Sequence, residues 1–526
     1  MKNYKNIILK VTFVLIAILF VQSCSDKFED REGQLNADDL DYTDTEDMIQ
    51  ALVGSYHVMA TRGWEEPILL SVRGDDVNAG GVGDAQDGLT DADLFIYNQG
   101  YWMFNQLWNA HYGDVVSLNT QIELIQSFKE FASEENQVTA DQYIAEIKVM
   151  RAWLHFNLAR VWENVFIIES TQPDAEIMDG PASKNEMMQY IADQMDEAIP
   201  MLPNLRPNER TDVPGGVTRY TAYAIKAMAM MELEDYQGMA DASAAIINSN
   251  RFSLYPDFYS LFKKPGELSD ESLMEFQFSD YGSSTSDEFY HLYAPFGPSG
   301  WTPARENASP GWGFYEPSIK FIKFMLDRED FERLETSVLF SPRGVQEVAE
   351  DPAYTNLPAF MDIQISDDRS YITTRDGDQI NDYSRARFAS GKHYLPSVQL
   401  TDQRNDYGGG KNMIVIRYAE ILLMYAEALT RGASGSGMTA DQAVNMVRSR
   451  AGLSSLSGVT SDQVMDEKFA ELGMEWGIRY YDMVRLENYS ELSYDGRTFT
   501  ADRAYLPYPQ EQVDALPTLT GSNGND

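Results

Sequence analysis

Two stretches of this chain combine flat aromatic rings with hydrogen-bonding side chains in loop-forming sequence. The first is Arg73-Gly74-Asp75-Asp76-Val77-Asn78, followed by Tyr97, Asn98, Tyr101 and Trp102. The second holds Tyr290, Tyr293, Phe296, Trp301, Arg305 and Asn307. Rings offer platforms to C–H-rich faces, and carboxylates, amides and guanidiniums meet hydroxyl rims. That chemistry grips a saccharide and does not cut one. Trp301 is the foremost candidate, because Pro298, Gly300 and Pro303 give its loop no helix face to bury the ring against. Local packing is the competing explanation of the same ring. Trp312, in Gly-Trp-Gly before a helix, reads as structural, and Trp64 fits either role.

Signals for catalysis are missing. The chain has no G-x-S-x-G elbow, no H-E-x-x-H and no phosphate-binding Gly-rich loop. His57, His111, His155, His291 and His393 are scattered, and none has metal-ligand spacing. Asp84, Asp87, Asp91 and Asp93 are spaced somewhat like calcium ligands but fail the EF-hand pattern, as do Asp376, Asp378 and Asp382. No cofactor is expected, with a structural calcium in these acidic loops left open. A glycosidase carboxylate pair has no positive support, since 82 acidic residues produce chance pairs everywhere.

Charge narrows the partners. With 41 basic against 82 acidic residues the net charge is −41, which excludes a nucleic-acid binder relying on a basic surface. Like-charge repulsion favours a neutral glucan, mannan or xylan over an acidic glycan such as alginate or pectin. A hydrophobic content of 43% is that of a folded globular chain.

The first residues read as an address. Lys2, Lys5 and Lys10 precede the apolar run Val11–Val21, which is too short for a confident membrane span. Val21-Gln22-Ser23-Cys24 resembles a bacterial lipobox, with Cys24 the lipidated first residue after a leader over 1–23. Cys24 is the only cysteine, so no intramolecular disulfide is possible. The acidic run Ser25-Asp26-Lys27-Phe28-Glu29-Asp30 resembles a surface-export tag of Bacteroidetes lipoproteins.

Positioning falls to helices. Met413–Arg431, with Ile414, Ile421, Met424, Tyr425 and Leu429 at helical spacing, predicts an amphipathic helix about five turns long ended by Gly432. Ala419, Ala426 and Ala428 allow another helix to approach closely, and Arg417, Glu420 and Glu427 fit either a satisfied polar contact in that interface or a solvated i,i+3 pair on an exposed face. Helices are further expected over Asp44–Arg62, Tyr101–Phe131, Gln142–Trp162, Lys184–Ile199, Val217–Leu233, Tyr236–Asn248 and 439–451, the last pairing with 412–431, and the scaffold closes over Gln463–Arg485. They group into roughly four antiparallel pairs of tetratricopeptide-like kind. Gly63–Gly100 reads as an ordered functional loop, and 251–411 as loop-rich, with a strand near Ser272–Phe278 and one helix near Pro317–Leu326.

In order along the chain, AEIKVMRAWLHFNLARVW (145–162), IADQMDEAIPMLP (191–203), VTRYTAYAIKAMAMMEL (217–233), RYAEILLMYAEA (417–428), VNMVRSRAGL (444–453), ELGMEWGIRYYDMVR (471–485) and YLPYPQEQV (505–513) resemble the blocks of the RagB/SusD family of Bacteroidetes surface lipoproteins. Two departures stand out. Met474-Glu475-Trp476-Gly477-Ile478-Arg479 replaces the Phe-Glu-Gly-His-Arg that members often carry, and the Asn-Pro-Gly-Tyr ending is absent.

The resemblance implies a mainly α fold in one domain over 24–526. Its helical scaffold would occupy about 40–62, 101–250 and 412–485, overlaid by ligand-binding parts over about 63–100 and 251–411 with short strands. It implies an outer-membrane, lipid-anchored, cell-surface protein that captures oligosaccharide or polysaccharide. The cargo would pass to a SusC-like TonB-dependent transporter. It carries the acidic residue to Asp75 or Asp76 and the aromatics to Trp102 and Trp301. With them, Asn78, Tyr97, Tyr293 and Arg305 complete the expected glycan set. A peptide-capturing or purely lid-forming protein of the same fold is the alternative, and a glycoside hydrolase the less favoured one.

Overall fold

The computed structural model describes residues 41–60, 65–80, 87–278, 297–306, 308, 310–366, 368–382, 386–400 and 410–519. The leader, Cys24, Trp64, Tyr290, Tyr293, Phe296 and Asn307 lie outside them. Among the described residues no helix is long and apolar enough to cross a membrane.

Helices dominate: α1 (Met48–Ala60), α2 (Trp102–Lys129), α3 (Glu134–Trp162), α4 (Lys184–Ala198), α5 (Arg219–Glu232), α6 (Tyr236–Ile247), α7 (Ile319–Asp327), α8 (Phe331–Ser337), α9 (Tyr418–Thr430), α10 (Ala440–Arg450), α11 (Ser461–Leu472) and α12 (Ile478–Arg485). Their starts are written locally. Ser183, Thr439 and Thr460 each accept from a first-turn amide while Glu186, Gln442 and Gln463 reach back, forming capping boxes. The four expected pairs all pack: α1 on α2, α3 on α4, α5 on α6 and α9 on α10. Contacts of α2 with α3, α4 with α5 and α6 with α9 join the pairs into one continuous helical layer.

Among the described residues, ten short strands overlay that layer: β1 (Val77–Gly80), β2 (Ser272–Phe276), β3 (Trp301–Thr302), β4 (Phe314–Pro317), β5 (Val338–Phe340), β6 (Gln364–Ile365), β7 (Ser370–Thr373), β8 (Gln379–Asn381), β9 (Phe388–Ser390) and β10 (Met413–Arg417). They form the pairs β1–β4, β2–β10 and β5–β9 and a four-stranded sheet of order β3-β8-β7-β6.

Several expectations are corrected. Met413–Arg431 is not one helix: its first five residues form β10 against β2, and α9 begins only at Tyr418. Ile414, Val415 and Ile416 are β-branched, and an available partner strand turns that preference into a strand. Gly63–Gly100 is not an open loop either. It carries β1 and helices at Glu65–Ser71 and Asp87–Asp93, with Arg73 to Val77 buried. Gln463–Arg485 breaks into α11 and α12 because Met474, Trp476 and Gly477 take φ of 68°, 47° and 76°. The 251–411 segment holds α8 and a helix over Pro342–Ala349 besides the expected α7.

At the centre lies a buried network of charges. Arg417, 1% exposed, uses all five N–H donors. They reach the Glu271, Glu471 and Glu475 carboxylates and the Glu471 backbone carbonyl at 2.5–2.9 Å. Arg450 bonds Glu271 and Glu471, and Arg333 bonds Asp330 and Glu471. Lys392 donates to Glu475 at 2.7 Å. Burial alone would raise the Glu471 carboxyl, but Arg450, Arg417 and Arg333 outweigh it and hold the carboxyl well below its ordinary range. The expected polar contact of Arg417 therefore exists, but it joins β10 to α10, α11 and the segment before β2 rather than pairing with Glu420. Glu427 instead bonds Lys468, Arg485 and Arg431 at 2.8–3.3 Å, tying α9 to α11 and α12.

Arg417→Met would leave three buried carboxylates under-compensated, so urea unfolding should show a loss of about 3–5 kcal/mol. Glu420 gives a prediction of opposite sign. Burial pushes its carboxyl from 4.5 up to about 7. The folded state therefore holds the proton more tightly than the unfolded chain. That stabilisation is full below pH 4.5 and is lost as the pH rises through 7. Glu420→Gln should flatten this part of the pH–stability curve. At pH 8 it should be more stable than the parent by on the order of 3 kcal/mol, read by urea melts at pH 5 and pH 8.

Candidate functional site

The first predicted cluster is drawn together, but into the interior. Asp75 is fully buried and accepts from Arg479 at 2.7 and 3.0 Å and from Lys320 at 2.7 Å. Burial works to raise its carboxyl, and Arg479 with Lys320 brings it below its ordinary value. Asp76 accepts the Met474 amide at 2.5 Å, and burial pushes its carboxyl up to about 6. Asn78 Oδ1 accepts from Arg497 at 2.8 Å and from the Tyr494 hydroxyl at 3.0 Å. Tyr97 donates to the Arg503 carbonyl at 2.8 Å. The buried Asp75 and Asp76 thus do not face a ligand, and with the partly exposed Asn78 and Tyr97 their polar atoms staple the 73–97 segment to the C-terminal 474–503 stretch. Trp102 differs. It opens α2, packs at 6.0 Å from Tyr101, and leaves half of its surface exposed.

The second cluster is built on the four-stranded sheet. Trp301 pairs with Ile380 and Thr302 with Gln379, and the next rung joins Ile380 to Ile372 and Gln379 to Thr373. Paired residues share a face, so Trp301, Ile380 and Ile372 point one way. Ile380 and Ile372 are buried, and Trp301 is half-buried. Its ring meets Tyr394 edge-on at 6.1 Å and rests on small apolar clusters around Leu395, Leu400 and Leu339. The loop did provide packing partners, which the local sequence could not reveal.

Asp378 locks this arrangement. Its carboxylate accepts the Ala304 amide at 2.7 Å, the Ser397 amide at 2.9 Å, and the hydroxyls of Ser397 and Tyr394. Arg305 is tied in the same way, its amide to Ser397 at 2.9 Å and its guanidinium to the Leu400 carbonyl. The opposite face of the sheet carries Thr302, Tyr371, Thr373, Gln379 and Asn381, all partly exposed, and the Arg369 guanidinium donates to Gln379 at 2.9 Å and lies over the Tyr371 ring. Sequence reading missed this row. Its only signal was the alternation in Ser-Tyr-Ile-Thr and Gln-Ile-Asn, too short to define a face.

Of the acidic loop residues, Asp84 lies outside the described residues, and several of the others are engaged within the chain. Asp378 is fully engaged as above, Asp376 accepts from Tyr259, and Asp382 accepts the Arg343 amide. Asp93 accepts the Ala79 amide and pairs with Arg497. Among the described residues no group of three His, Cys, Asp or Glu could hold a metal ion.

Comparison with known proteins then adds identity to geometry. Residues 270–524 match the family described as the SusD family, and residues 46–230 match one described as starch-binding and associating with the outer membrane. The SusD-like protein P2 of Formosa agariphila is 26% identical, the match covering 99% of each chain. The surface glycan-binding protein A of Bacteroides thetaiotaomicron, solved with laminarihexaose, superposes with a TM-score of 0.71 at 21% identity. That match covers 91% of this chain and 99% of the other. A laminarin-binding SusD-like protein superposes at 0.70, with 21% identity, over 89% and 97% of the two chains. Two matches spread over most of the chain, a full-length relative and the shared helical scaffold agree, and the chain belongs to the RagB/SusD family.

Proposed function

We propose that this chain is a cell-surface glycan-binding lipoprotein, anchored in the outer membrane through Cys24. It captures oligosaccharide or polysaccharide and passes it to a SusC-like TonB-dependent transporter without cleaving it. One observation carries the glycan reading: a small sheet locked by Asp378 presents the Tyr371 ring and a row of hydroxyl and amide groups on its outer face, with Arg369 bonded to Gln379, while the partly exposed Trp301 ring stands on the edge strand β3 and faces the other way. Tyr371 offers stacking beside those hydrogen-bonding groups, and Trp301 a second ring at the sheet edge. Trp301, Arg305 and the exposed Trp102 are the proposed contacts retained from the sequence, with Tyr371 and Gln379 added by the sheet. The laminarin ligands of two relatives of the same fold support a neutral glycan as ligand.

Affinity electrophoresis in gels containing laminarin, mannan or xylan tests this reading. Migration should be retarded by at least one of these polymers, with Trp301→Ala and Trp102→Ala each weakening retardation about tenfold. Because the ligand is neutral, retardation should change little between about 0.05 and 0.5 M salt. Release of shorter sugars would favour a glycoside hydrolase. Absence of retardation by every glycan would favour the peptide-capturing or lid-forming alternative.

A further inference from the structure

A separate cavity of about 50 Å³ lies between α3, α5, β2, β10 and the turn before α12. Arg160 and Glu420 lie at its wall, 5% and 3% exposed. Glu420 makes no hydrogen bond and no close ion pair among the described residues, although it is buried. Arg160 stacks on the Tyr481 ring at 3.6 Å and lies 3.6 Å from the Glu232 carboxylate, and its Nε has no hydrogen-bond partner. Trp153, Asn157 and Trp476 are half-buried where the cavity nears solvent. The Trp476 N–H is already committed to the Ile414 carbonyl at 2.6 Å, which fixes the indole in place.

A buried carboxyl group with no hydrogen-bond partner, on the wall of one space with the Arg160 side chain, is costly unless something fills its hydrogen bonds. The charges restrict what that is. Arg160 and the nearby Lys468 oppose a cation, and Glu420 together with Glu66, the other acidic residue of the lining, opposes an anion. The walls are largely aromatic and aliphatic, which suits a ligand with C–H faces. At roughly 10–15 Å³ per water-sized group, the enclosed part holds about three to five such groups. That is the hydroxyl edge of one sugar ring, with the rest of the ring in the mouth between Trp153 and Trp476.

We propose that this cavity is a second saccharide site, distinct from the Trp301 surface, that takes the hydroxyl edge of a single neutral sugar ring. Hydroxyls donate to Glu420 and accept from Arg160, and Asn157 meets the part of the ring in the mouth. The choice of ligand class rests on the glycan reading above.

Ligand-observed NMR on the full chain, with D-glucose, D-galactose, D-mannose and D-xylose as probes up to about 50 mM, tests it. At least one probe should bind the parent and Trp301→Ala alike. Glu420→Gln and Trp153→Ala should each weaken that binding about tenfold or more. Glu420→Gln preserves shape and is expected to fold, so its loss of binding would not reflect unfolding. Binding of none of the four sugars to the parent would overturn the site. So would binding that Glu420→Gln and Trp153→Ala leave intact, or that Trp301→Ala abolishes. Failure here leaves polymer retardation on the Trp301 surface unaffected, whereas loss of retardation with monosaccharide binding intact would overturn only the surface reading.

Discussion

The buried charges around Arg417 are the constraint on which the rest of the molecule depends. One guanidinium with five satisfied donors meets three glutamates drawn from the segment before β2, from α11 and from the turn after it. Each ion would be expensive to desolvate alone. Together they are tolerated only in one spatial arrangement, so the network acts mainly as a specifier of register. If β10 were to slip by one residue, Arg417 would swing to the other face and all these carboxylates would lose their partner. The strand–helix junction at Arg417 and the order of α10 and α11 around it follow from this single geometry.

A second consequence concerns the overlay. Segments that look like surface loops are riveted to distant parts of the chain by similar means. Asp75 and Asp76 are held by Arg479 and the Met474 amide, and Arg497 closes over Asn78 and Asp93. Asp378 holds the Trp301 loop against Ser397 and Tyr394. In this acidic chain of −41 net charge, buried cations such as Arg417, Arg479 and Arg497 serve as clamps. The outer face of the small sheet is left with hydroxyl and amide groups and the single guanidinium of Arg369 on Gln379. Preorganised rings and amides lose little freedom when an extended sugar chain settles on them.

Much of the fold was legible along the chain. The helices of the scaffold follow from apolar spacing and from capping residues such as Ser183, Thr439 and Thr460, all local in origin. The alanines of α5, α6 and α9 announced close helix contacts, and those contacts exist. The candidate site was legible only in part. Trp102 and Trp301 keep exposed surface, whereas Asp75, Asp76, Asn78 and Tyr97 turn out to be bound by residues some 400 positions away. No local pattern distinguishes a carboxylate awaiting a ligand from one awaiting an arginine.

The sequence by itself determined the helical scaffold and the family, because periodicity, capping and ordered blocks are properties of neighbouring residues. Only the tertiary structure decided that Met413–Arg417 is a strand, which acidic side chains are clamps, and which aromatic rings keep an open face. Those outcomes depend on partners brought together across hundreds of residues, where burial decides whether a charge must be paired and packing decides how much of a ring remains in water.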